Sequence, residues 1–330
     1  MKIATFSTKP YDQQYLDQAN GVSGNPHEIT YYEYPLNKDT AMLAQGFDAV
    51  CAFVNDHLNR ECFAALKENN IQHIAMRCAG FNNVDLDAAK DFGISVQRVP
   101  EYSPYAVAEY SIALLLDVNR RIARAFRRVR DGDFSLQGLL GFDLHGKTVG
   151  IIGTGKIGQV AANILLGFGC KVIAYDLYPN EGLKEKGVKY ENLENLFKQS
   201  DVISLYCPLT LETFHMINEH SVRLMKKGVY IINTSRGGLV NTDAVIEGLK
   251  SKKIGGLALD VYEEEEGVFF EDLSDEIIHD DKLMRLTTFP NVIITSHQAF
   301  FTQEALERIS SVTINNLSGA AEGRFDNEVL

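Results

Sequence analysis

The stretch VGIIGTGKIGQV, residues 149–160, decides the fold of the chain that follows it. Gly153, Gly155 and Gly158 have the spacing G-x-G-x-x-G, which alone is a weak signal because it occurs by chance in many chains. Here the glycines follow the apolar run TVGII (148–152) and open a helix-like run. That order predicts the first strand–turn–helix unit of a parallel sheet, with a dinucleotide pyrophosphate bound at the helix N-terminus.

An acidic residue ends the next strand-like run, KVIAYD (171–176). This residue, Asp176, lies 18 positions after Gly158, and no arginine follows it in DLYPN (176–180). A carboxylate at this place accepts hydrogen bonds from the adenosine ribose and repels a 2′-phosphate. The sequence therefore predicts NAD rather than NADP as the cofactor. The alternative interpretation is an ordinary α/β turn with a surface aspartate.

The chain before the glycine loop has its own alternation of strands and helices. Its strand-like runs are 2–6, 27–32, 48–53 and 73–77, and the stretches with helical spacing between them are 11–19, 39–45 and 60–69. The strand-like runs of the later part are 148–152, 171–176, 201–206, 229–234, 256–261 and 291–296. Near-continuous apolar strands are typical of parallel sheets covered on both faces. We therefore predict an α/β protein with two doubly wound parallel-sheet domains.

Length and charge restrict the classes of function. The chain has 330 residues, which suits two domains of ordinary size, and a formal net charge of −12. Such an acidic chain is a poor ligand for nucleic acid and for anionic membranes. The most apolar segment, 110–118, is too short to span a bilayer, and the N-terminal residues do not have the pattern of a signal peptide. We expect a cytoplasmic protein without nucleic-acid or membrane partners.

Two further features have ordinary interpretations. The cysteines are odd in number and widely spaced, which indicates reduced thiols rather than a disulfide framework, and we expect no metal site. They are Cys51, Cys62, Cys78, Cys170 and Cys207. The segment RRIARAFRRVR (120–130) has six arginines in eleven residues. An anion-binding patch is one interpretation, but the acidic total favours a solvated or interfacial helix face.

Three polar segments follow strands of the second series, and the carboxyl ends of parallel strands lie along one edge of a sheet. They are NTSRGGLV (233–240) with Arg236, GLALDVYEEEE (256–266), and TSHQAF (295–300) with His297. Alone, these residues could be a surface charge, a solvated acidic loop and a structural histidine. Together they supply a carboxylate-binding cation, an acid and a proton donor, which are the parts that reduction of a 2-keto acid requires.

Six motifs in order carry a family resemblance. They are RCAGFNNVDLDAA (77–89), GKTVGIIGTGKIG (146–158), CPLT (207–210), NTSRGGLV, LDVYE (259–263) and HQAF (297–300). With them the chain resembles the D-isomer-specific 2-hydroxyacid dehydrogenases, and within that family the fermentative D-lactate dehydrogenases. The resemblance implies a flavodoxin-like substrate domain from 1–101 and 299–330, and a Rossmann-like NAD domain over 102–298. It also implies that the active site lies in the cleft between them.

The resemblance assigns chemical roles. Arg236 would pair with the substrate carboxylate and polarise the keto oxygen, which suits a guanidinium because its fork is bidentate and permanently charged. His297 would donate the proton in reduction and accept it in oxidation. Glu265 would be its partner and stabilise the cationic imidazole. The choice of Glu265 rests on family spacing, five residues after Asp260 and 32 before His297.

The resemblance also implies binding residues. The N–H groups of Ala79 and Gly80 would hold the substrate carboxylate, while Tyr102 and Phe300 would line its side-chain pocket. Two aromatic walls leave room for a methyl group, which favours pyruvate; core packing is the alternative for both rings. Asp260 would accept from the nicotinamide carboxamide. The implied NAD contacts are Gly153, Gly155, Lys156, Ile157, Gly158, Asp176, Cys207, Pro208, Thr234, Ser235 and Asp260.

The function implied is that of an NAD-dependent oxidoreductase that reduces pyruvate to D-lactate, as a homodimer or homotetramer. One alternative within the family is an enzyme for longer 2-keto acids. An alternative of another class is a corepressor-like protein that binds NAD as a sensor.

Overall fold

The computed structural model describes residues 1–265 and 267–329 and divides the chain into two compact units. Unit 1 comprises Met1–Ser103 and Phe301–Leu330, and unit 2 comprises Pro104–Phe300. The chain therefore leaves unit 1, builds unit 2 and returns to complete unit 1. The two crossing points lie two residues after the predicted ones.

Unit 1 is built on a five-stranded parallel sheet in the order β2-β1-β3-β4-β5, the order typical of flavodoxin-like folds. Its strands are β1 (Lys2–Thr5), β2 (Glu28–Tyr31), β3 (Ala49–Ala52), β4 (His73–Met76) and β5 (Ser95–Gln97). Its first three helices are α1 (Pro10–Val22), α2 (Arg60–Glu68) and α3 (Leu86–Phe92), with a 3₁₀ turn at Ala41–Ala44.

Apolar layers cover this sheet on both faces. Ala49 and Cys51 of β3 belong to one buried cluster, while Val50 and Ala52 belong to another. Successive side chains of a strand point to opposite faces, so a strand buried at every position must have a layer on each side. This is why β3, in the middle of the sheet, reads as a continuous apolar run.

Unit 2 is built on a seven-stranded parallel sheet in the order β12-β11-β10-β9-β6-β7-β8. Its strands are β6 (Thr148–Ile152), β7 (Lys171–Tyr175), β8 (Lys189–Tyr190), β9 (Val202–Leu205), β10 (Val229–Asn233), β11 (Ile254–Leu259) and β12 (Val292–Ile294). Counted from β6, this is the dinucleotide-binding order 3-2-1-4-5-6 with one strand added at the end. The order reverses between β6 and β9.

The helices of unit 2 separate its strands, and a last helix returns to unit 1. They are α4 (Pro104–Arg120), α5 (Ile122–Arg130), α6 (Lys156–Gly167), α7 (Glu181–Glu185), α8 (Leu193–Gln199), α9 (Glu219–Leu224), α10 (Thr242–Lys250) and α11 (Asp281–Thr287). A 3₁₀ turn spans Gly237–Leu239. Helix α12 (Gln303–Ala321) packs against α1 and β4.

The predicted fold class, two parallel-sheet α/β domains, is confirmed. Every strand-like run corresponds to an observed strand, while the short strands β5 and β8 were not predicted. The arginine-rich stretch 120–130 crosses a helix boundary, because Arg121 adopts the left-handed conformation with φ of +56° and separates α4 from α5. Asp117 then accepts a hydrogen bond from the N–H of Ala123 in the first turn of α5.

All five cysteines are free thiols, and only Cys78 of the five is partly exposed. Across residues 1–265 and 267–329, no helix has both the length and the apolar character that a membrane span requires. In the same residues, no group of three or more His, Cys, Asp or Glu side chains is placed to hold a metal ion.

Candidate active site

The glycine loop follows β6 and forms a shallow cradle at the start of α6. Gly153 has a φ of +95°, and a Cβ there would lie 2.6 Å from the backbone nitrogen of Cys207. A Cβ on Gly158 would lie 2.0 Å from the carbonyl oxygen of Gly153, so neither position accepts a side chain. Gly155 faces open space and precedes the helix without a side-chain cap. Exposed Lys156 and half-buried Ile157 form the first turn.

Asp176 lies at the carboxyl end of β7, beside this loop. Its Oδ2 accepts hydrogen bonds from the backbone N–H and the hydroxyl of Thr154, and its Oδ1 accepts one from the N–H of Tyr178 at 2.8 Å. The Tyr190 hydroxyl donates to Thr154 Oγ1 at 2.9 Å. Sequence analysis missed Thr154 and Tyr190. Thr154 could have been found, because neighbouring parallel strands place the residue after Gly153 close to the end of β7.

A second group of predicted cofactor residues follows β9 and β10. The Ser235 hydroxyl donates to the carbonyl oxygen of Cys207 at 2.7 Å, which joins the two segments. Burial raises the pKa of the Cys207 thiol to about 11, so it stays protonated near neutral pH. Thr234 is buried, and its hydroxyl has no hydrogen-bond partner in the described part of the chain. Pro208, which follows Cys207 in the chain, is exposed.

These residues fit a dinucleotide. The glycine cradle at an uncapped helix N-terminus suits an anionic pyrophosphate, because unsatisfied N–H groups and the helix dipole both favour negative charge. Asp176 supplies a ribose acceptor whose position is fixed by Thr154. The unpaired Thr234 hydroxyl offers a further polar contact at the same edge of the sheet.

His297 and Glu265 form a hydrogen-bonded pair beyond β11 and β12. The His297 Nδ1 atom lies 2.9 Å from Glu265 Oε1, and the His297 side chain is 18 % exposed. Glu265 Oε2 accepts from the N–H of Tyr262 at 2.9 Å, which fixes the carboxylate. The Phe270 ring lies 5.7 Å from the imidazole centroid to centroid. The carboxylate thus holds one ring nitrogen, and the other ring nitrogen, Nε2, is the atom left for chemistry.

Asp260 anchors the segment that carries His297. Its buried carboxylate accepts hydrogen bonds from the Thr295 hydroxyl at 2.6 Å and from the N–H groups of Gln298 and Ala299 at 2.9 and 2.8 Å. Its carbonyl accepts from the N–H of His297 at 2.7 Å, where φ is +53°. Burial outweighs these hydrogen bonds and raises the pKa of the Asp260 carboxyl. Its contact with a carboxamide stays a prediction.

Arg236 follows β10, the strand next to β11. It is half-buried, and its Nη1 donates to the carbonyl of Ser235 at 2.7 Å. Within the described residues no carboxylate lies within 4.0 Å of its guanidinium nitrogens. The next residue, Gly237, packs so closely that a Cβ there would lie 1.9 Å from the carbonyl oxygen of Tyr262. The segments that bear Arg236 and Glu265 therefore pack directly on each other.

A second histidine–glutamate pair supports these segments and was missed by sequence analysis. His215 Nε2 bonds with Glu263 Oε1, and the N–H of His215 donates to the carbonyl of Gly238 at 2.8 Å. The Thr242 N–H and hydroxyl donate to Glu263 Oε2 at 3.0 and 2.7 Å. Burial opposes ionisation of Glu263, but the bonds from Thr242 and His215 outweigh it and lower the pKa of this carboxyl.

The run of glutamates is therefore divided by its contacts. Glu263 bonds with His215, Glu264 is exposed, and Glu265 bonds with His297. Glu266 lies outside the described residues. No local periodicity separates these acids, because both pairings join residues that are far apart in the chain.

The remaining predicted residues follow strand β4 or lie where the chain passes from one unit to the other. Ala79 and Gly80 follow β4 in unit 1 and are partly exposed, and in the described part of the chain their N–H groups have no acceptor. Tyr102 is half-buried at the end of the first segment of unit 1. Phe300 is 9 % exposed and ends unit 2.

Comparison with known proteins adds to this geometry. Residues 112–299 match the family model described as D-isomer specific 2-hydroxyacid dehydrogenase, NAD binding domain. The chain belongs to this family. The predicted cofactor, NAD, and the predicted class of enzyme, an oxidoreductase, are confirmed by membership of the D-isomer specific 2-hydroxyacid dehydrogenases.

The similarity of this dehydrogenase to known proteins covers nearly the whole chain. It is 52 % identical over 323 residues to the D-lactate dehydrogenase of Escherichia coli strain K12, covering 98 % of both chains. The apo-structure of an Escherichia coli D-lactate dehydrogenase matches with a TM-score of 0.91 at 49 % identity, covering 100 % of each chain. The Aquifex aeolicus D-lactate dehydrogenase, solved with NAD and lactic acid, matches with a TM-score of 0.87 at 36 % identity, covering 99 % and 98 %.

Proposed function

We propose that this dehydrogenase reduces pyruvate to D-lactate with NADH, and oxidises D-lactate in the reverse direction. The observation that carries the proposal is the pairing of His297 with Glu265, next to an Arg236 that has no carboxylate partner among the described residues. All three follow neighbouring strands, β10, β11 and β12, at the edge where parallel sheets bind ligands. Relatives whose sequences are 52 % and 49 % identical to this chain are named D-lactate dehydrogenases.

The chain's own residues position the substrate and move one proton. NADH, when bound by the glycine cradle and Asp176, supplies the reducing equivalent to the carbonyl carbon. Arg236 pairs with the substrate carboxylate and stabilises negative charge on the keto oxygen. His297 donates its Nε2 proton to that oxygen in reduction and takes it back in oxidation. Glu265 holds the imidazole orientation and stabilises its cationic form.

The substrate is held by two kinds of contact. The N–H groups of Ala79 and Gly80 bind the carboxylate, and Tyr102 and Phe300 limit the space around the C3 group. Because a methyl group is small, we expect pyruvate to be the preferred substrate over 2-ketoisocaproate, which carries an isobutyl group. Initial rates of NADH oxidation with each acid test this choice. A higher kcat/KM for 2-ketoisocaproate would contradict the assignment of both rings and favour the enzyme of longer 2-keto acids.

Replacing Asp176 with alanine is expected to weaken NADH binding about 10- to 100-fold, since a charged group that accepts ribose hydrogen bonds is lost. The affinity for NADPH should rise relative to NADH, because the charge that repels a 2′-phosphate is also gone. Fluorescence titration of both cofactors measures the two effects. Asp243→Ala, which removes an exposed aspartate paired with Lys282, is the control. Unchanged NADH affinity in Asp176→Ala would contradict the assignment.

We also propose that the chain forms a homodimer or homotetramer, that it works in the cytoplasm, and that it serves fermentation. An apolar surface supports the association. Its side chains, each between 54 % and 91 % exposed, are Ile122, Phe126, Phe134, Leu136 and Leu140. Isolated subunits rarely expose so many large apolar groups in one segment.

Placing charges on this surface should separate the subunits. Phe134→Asp with Leu140→Asp is expected to shift the mass measured by light scattering after gel filtration to that of a smaller species, because two desolvated carboxylates would oppose association. Val22→Asp, which changes another exposed apolar residue at the end of α1, should leave the mass unchanged. A monomeric wild-type protein, or a double variant with the wild-type mass, would contradict this interface.

A further inference from the structure

The segment after β4 has an unusual arrangement of backbone hydrogen bonds. The carbonyl of Cys78 accepts from the N–H of Val99 at 3.1 Å, and the carbonyl of Ala79 accepts from Arg98 Nη1 at 2.8 Å. The carbonyl of Gly80 accepts from the Cys78 thiol at 3.2 Å. Three successive carbonyl groups are thus bound by neighbouring residues of the same unit.

The orientation of the N–H groups follows from these bonds. In a planar trans peptide group the C=O and N–H bonds point in opposite directions. Because the carbonyls of residues 78–80 point toward their donors, the N–H groups of Ala79, Gly80 and Phe81 point away from them. In the described part of the chain none of these three N–H groups has an acceptor. These three successive N–H groups are therefore available to donate to a bound anion.

Arg98 is the one charged donor among those that orient this segment. Its guanidinium lies over the Phe81 ring, 5.1 Å from the centroid, while Nη1 donates to Ala79. A charged donor makes a stronger hydrogen bond than the neutral thiol of Cys78. The bond to Ala79 also fixes the Gly80 N–H, which belongs to the same peptide group.

The C-terminal segment in turn holds the backbone of Arg98. The N–H of Arg98 donates to the carbonyl of Asn327 at 3.0 Å, and the Asn316 side chain donates to the carbonyl of Arg98 at 2.9 Å. Asn327 Nδ2 donates to Asn316 Oδ1 at 2.7 Å, which ties these two residues together. Asn316 and Asn327, which lie near the C-terminus, therefore hold the backbone of Arg98 in place.

We propose that Arg98 is a positioning residue for the substrate carboxylate, holding the Ala79–Gly80 peptide so that its N–H faces the bound anion. This inference rests on the proposed function, and it deepens that function by assigning affinity for the 2-keto acid to a residue that does not itself touch the substrate. Asn327 of the C-terminal segment contributes to the same substrate affinity, because it holds Arg98 and Asn316 in place.

The test compares two arginine variants of unit 1. Arg98→Met keeps an unbranched side chain that can pack beside Phe81, but it removes the charged donor to Ala79. Arg60→Met is the matched control, because Arg60 lies over the Phe92 ring at 6.0 Å and donates to the Asp91 side chain at 2.7 Å rather than to this segment. For each variant, KM and kcat for the 2-keto acid, the dissociation constant of NADH and the melting temperature are measured.

Arg98→Met is expected to raise KM for pyruvate at least about tenfold with a smaller change in kcat and an unchanged NADH affinity. Arg98→Lys, which keeps a charged donor, should recover part of the loss, and Asn327→Ala should raise KM by a smaller factor. Arg60→Met should match the wild type. This pattern separates positioning from general loss of stability, which would lower melting temperature without a selective rise in KM.

Two results overturn the inference. If Arg98→Met keeps the KM of Arg60→Met while the wild type reduces pyruvate, Arg98 does not position the anion site and the proposed function still stands. If the wild type prefers another 2-keto acid, the same comparison is made with that acid, because the carboxylate is common to all of them. If the wild type reduces no 2-keto acid, the proposed function fails and this inference fails with it.

Discussion

Replacing His297 with asparagine is expected to lower kcat for pyruvate reduction by about 10²- to 10⁴-fold, the usual contribution of a positioned general acid. Asparagine is the informative replacement because His297 has a φ of +53°, a backbone conformation that asparagine adopts more readily than alanine. It keeps a polar group near Glu265 but cannot deliver a proton. Steady-state NADH oxidation at saturating pyruvate measures the loss.

The variant should still bind NADH, since the glycine cradle and Asp176 lie beyond other strands of the sheet. His220→Ala is the control, because His220 is an exposed histidine on α9 of the same unit. If the kcat of His297→Asn lies within a few-fold of the control, His297 is not the proton donor. If His297→Asn loses both NADH binding and turnover, the result would instead indicate a damaged fold.

Replacing Arg236 with lysine is expected to raise KM for pyruvate by about 10²-fold or more, because one point charge replaces the bidentate fork that matches a carboxylate. Some loss of kcat should accompany it, since the same group stabilises charge on the keto oxygen. Pyruvate saturation curves at fixed NADH give both constants. Arg236→Ala should lose more of kcat/KM than Arg236→Lys does.

The control for this variant is Arg223→Lys. Arg223 is an exposed arginine on α9 that pairs with Glu219 four residues earlier, so its exchange should leave both constants near those of the wild type. An unchanged KM in Arg236→Lys would show that the substrate carboxylate is bound elsewhere, with the N–H groups of Ala79 and Gly80 as the remaining candidates.

Most of the fold could be predicted because its strands are buried on both faces. Strands such as β6 and β10 read as continuous apolar runs, and the glycine loop after β6 marks the first turn of the second sheet. Strands β5 and β8 have three and two residues, which is too short for any periodicity to appear. The break at Arg121 could not be predicted either, since arginine has no preference for the left-handed conformation it adopts there.

The candidate site was predictable to a smaller extent. Composition and strand position indicated Arg236 and His297, whereas the choice of Glu265 required the family resemblance. The structure places Glu265 on His297 and gives Glu263 a different partner, His215, 48 residues earlier. Such long-range pairs depend on how loops pack after folding. No local pattern encodes them.

The same limit applies to residues that support the site from behind. Asp260 was assigned from the resemblance to the cofactor, but its three hydrogen bonds to the segment 295–299 appear only in the structure. Arg98 lies two residues before Pro100 in the sequence, and nothing in this stretch signals its bond to Ala79. The sequence identifies groups that do chemistry more readily than groups that hold them in place.

The most direct test of this account is the oxidation of NADH by the purified protein with pyruvate, followed at 340 nm, with a chiral assay of the product. We expect rapid turnover, in the range of about 1–10³ s⁻¹ that is usual for enzymes, with D-lactate as the product. Formation of L-lactate would contradict the proposed stereochemistry. Binding of NADH without turnover of any 2-keto acid would contradict the account as a whole and favour a protein that senses the cofactor.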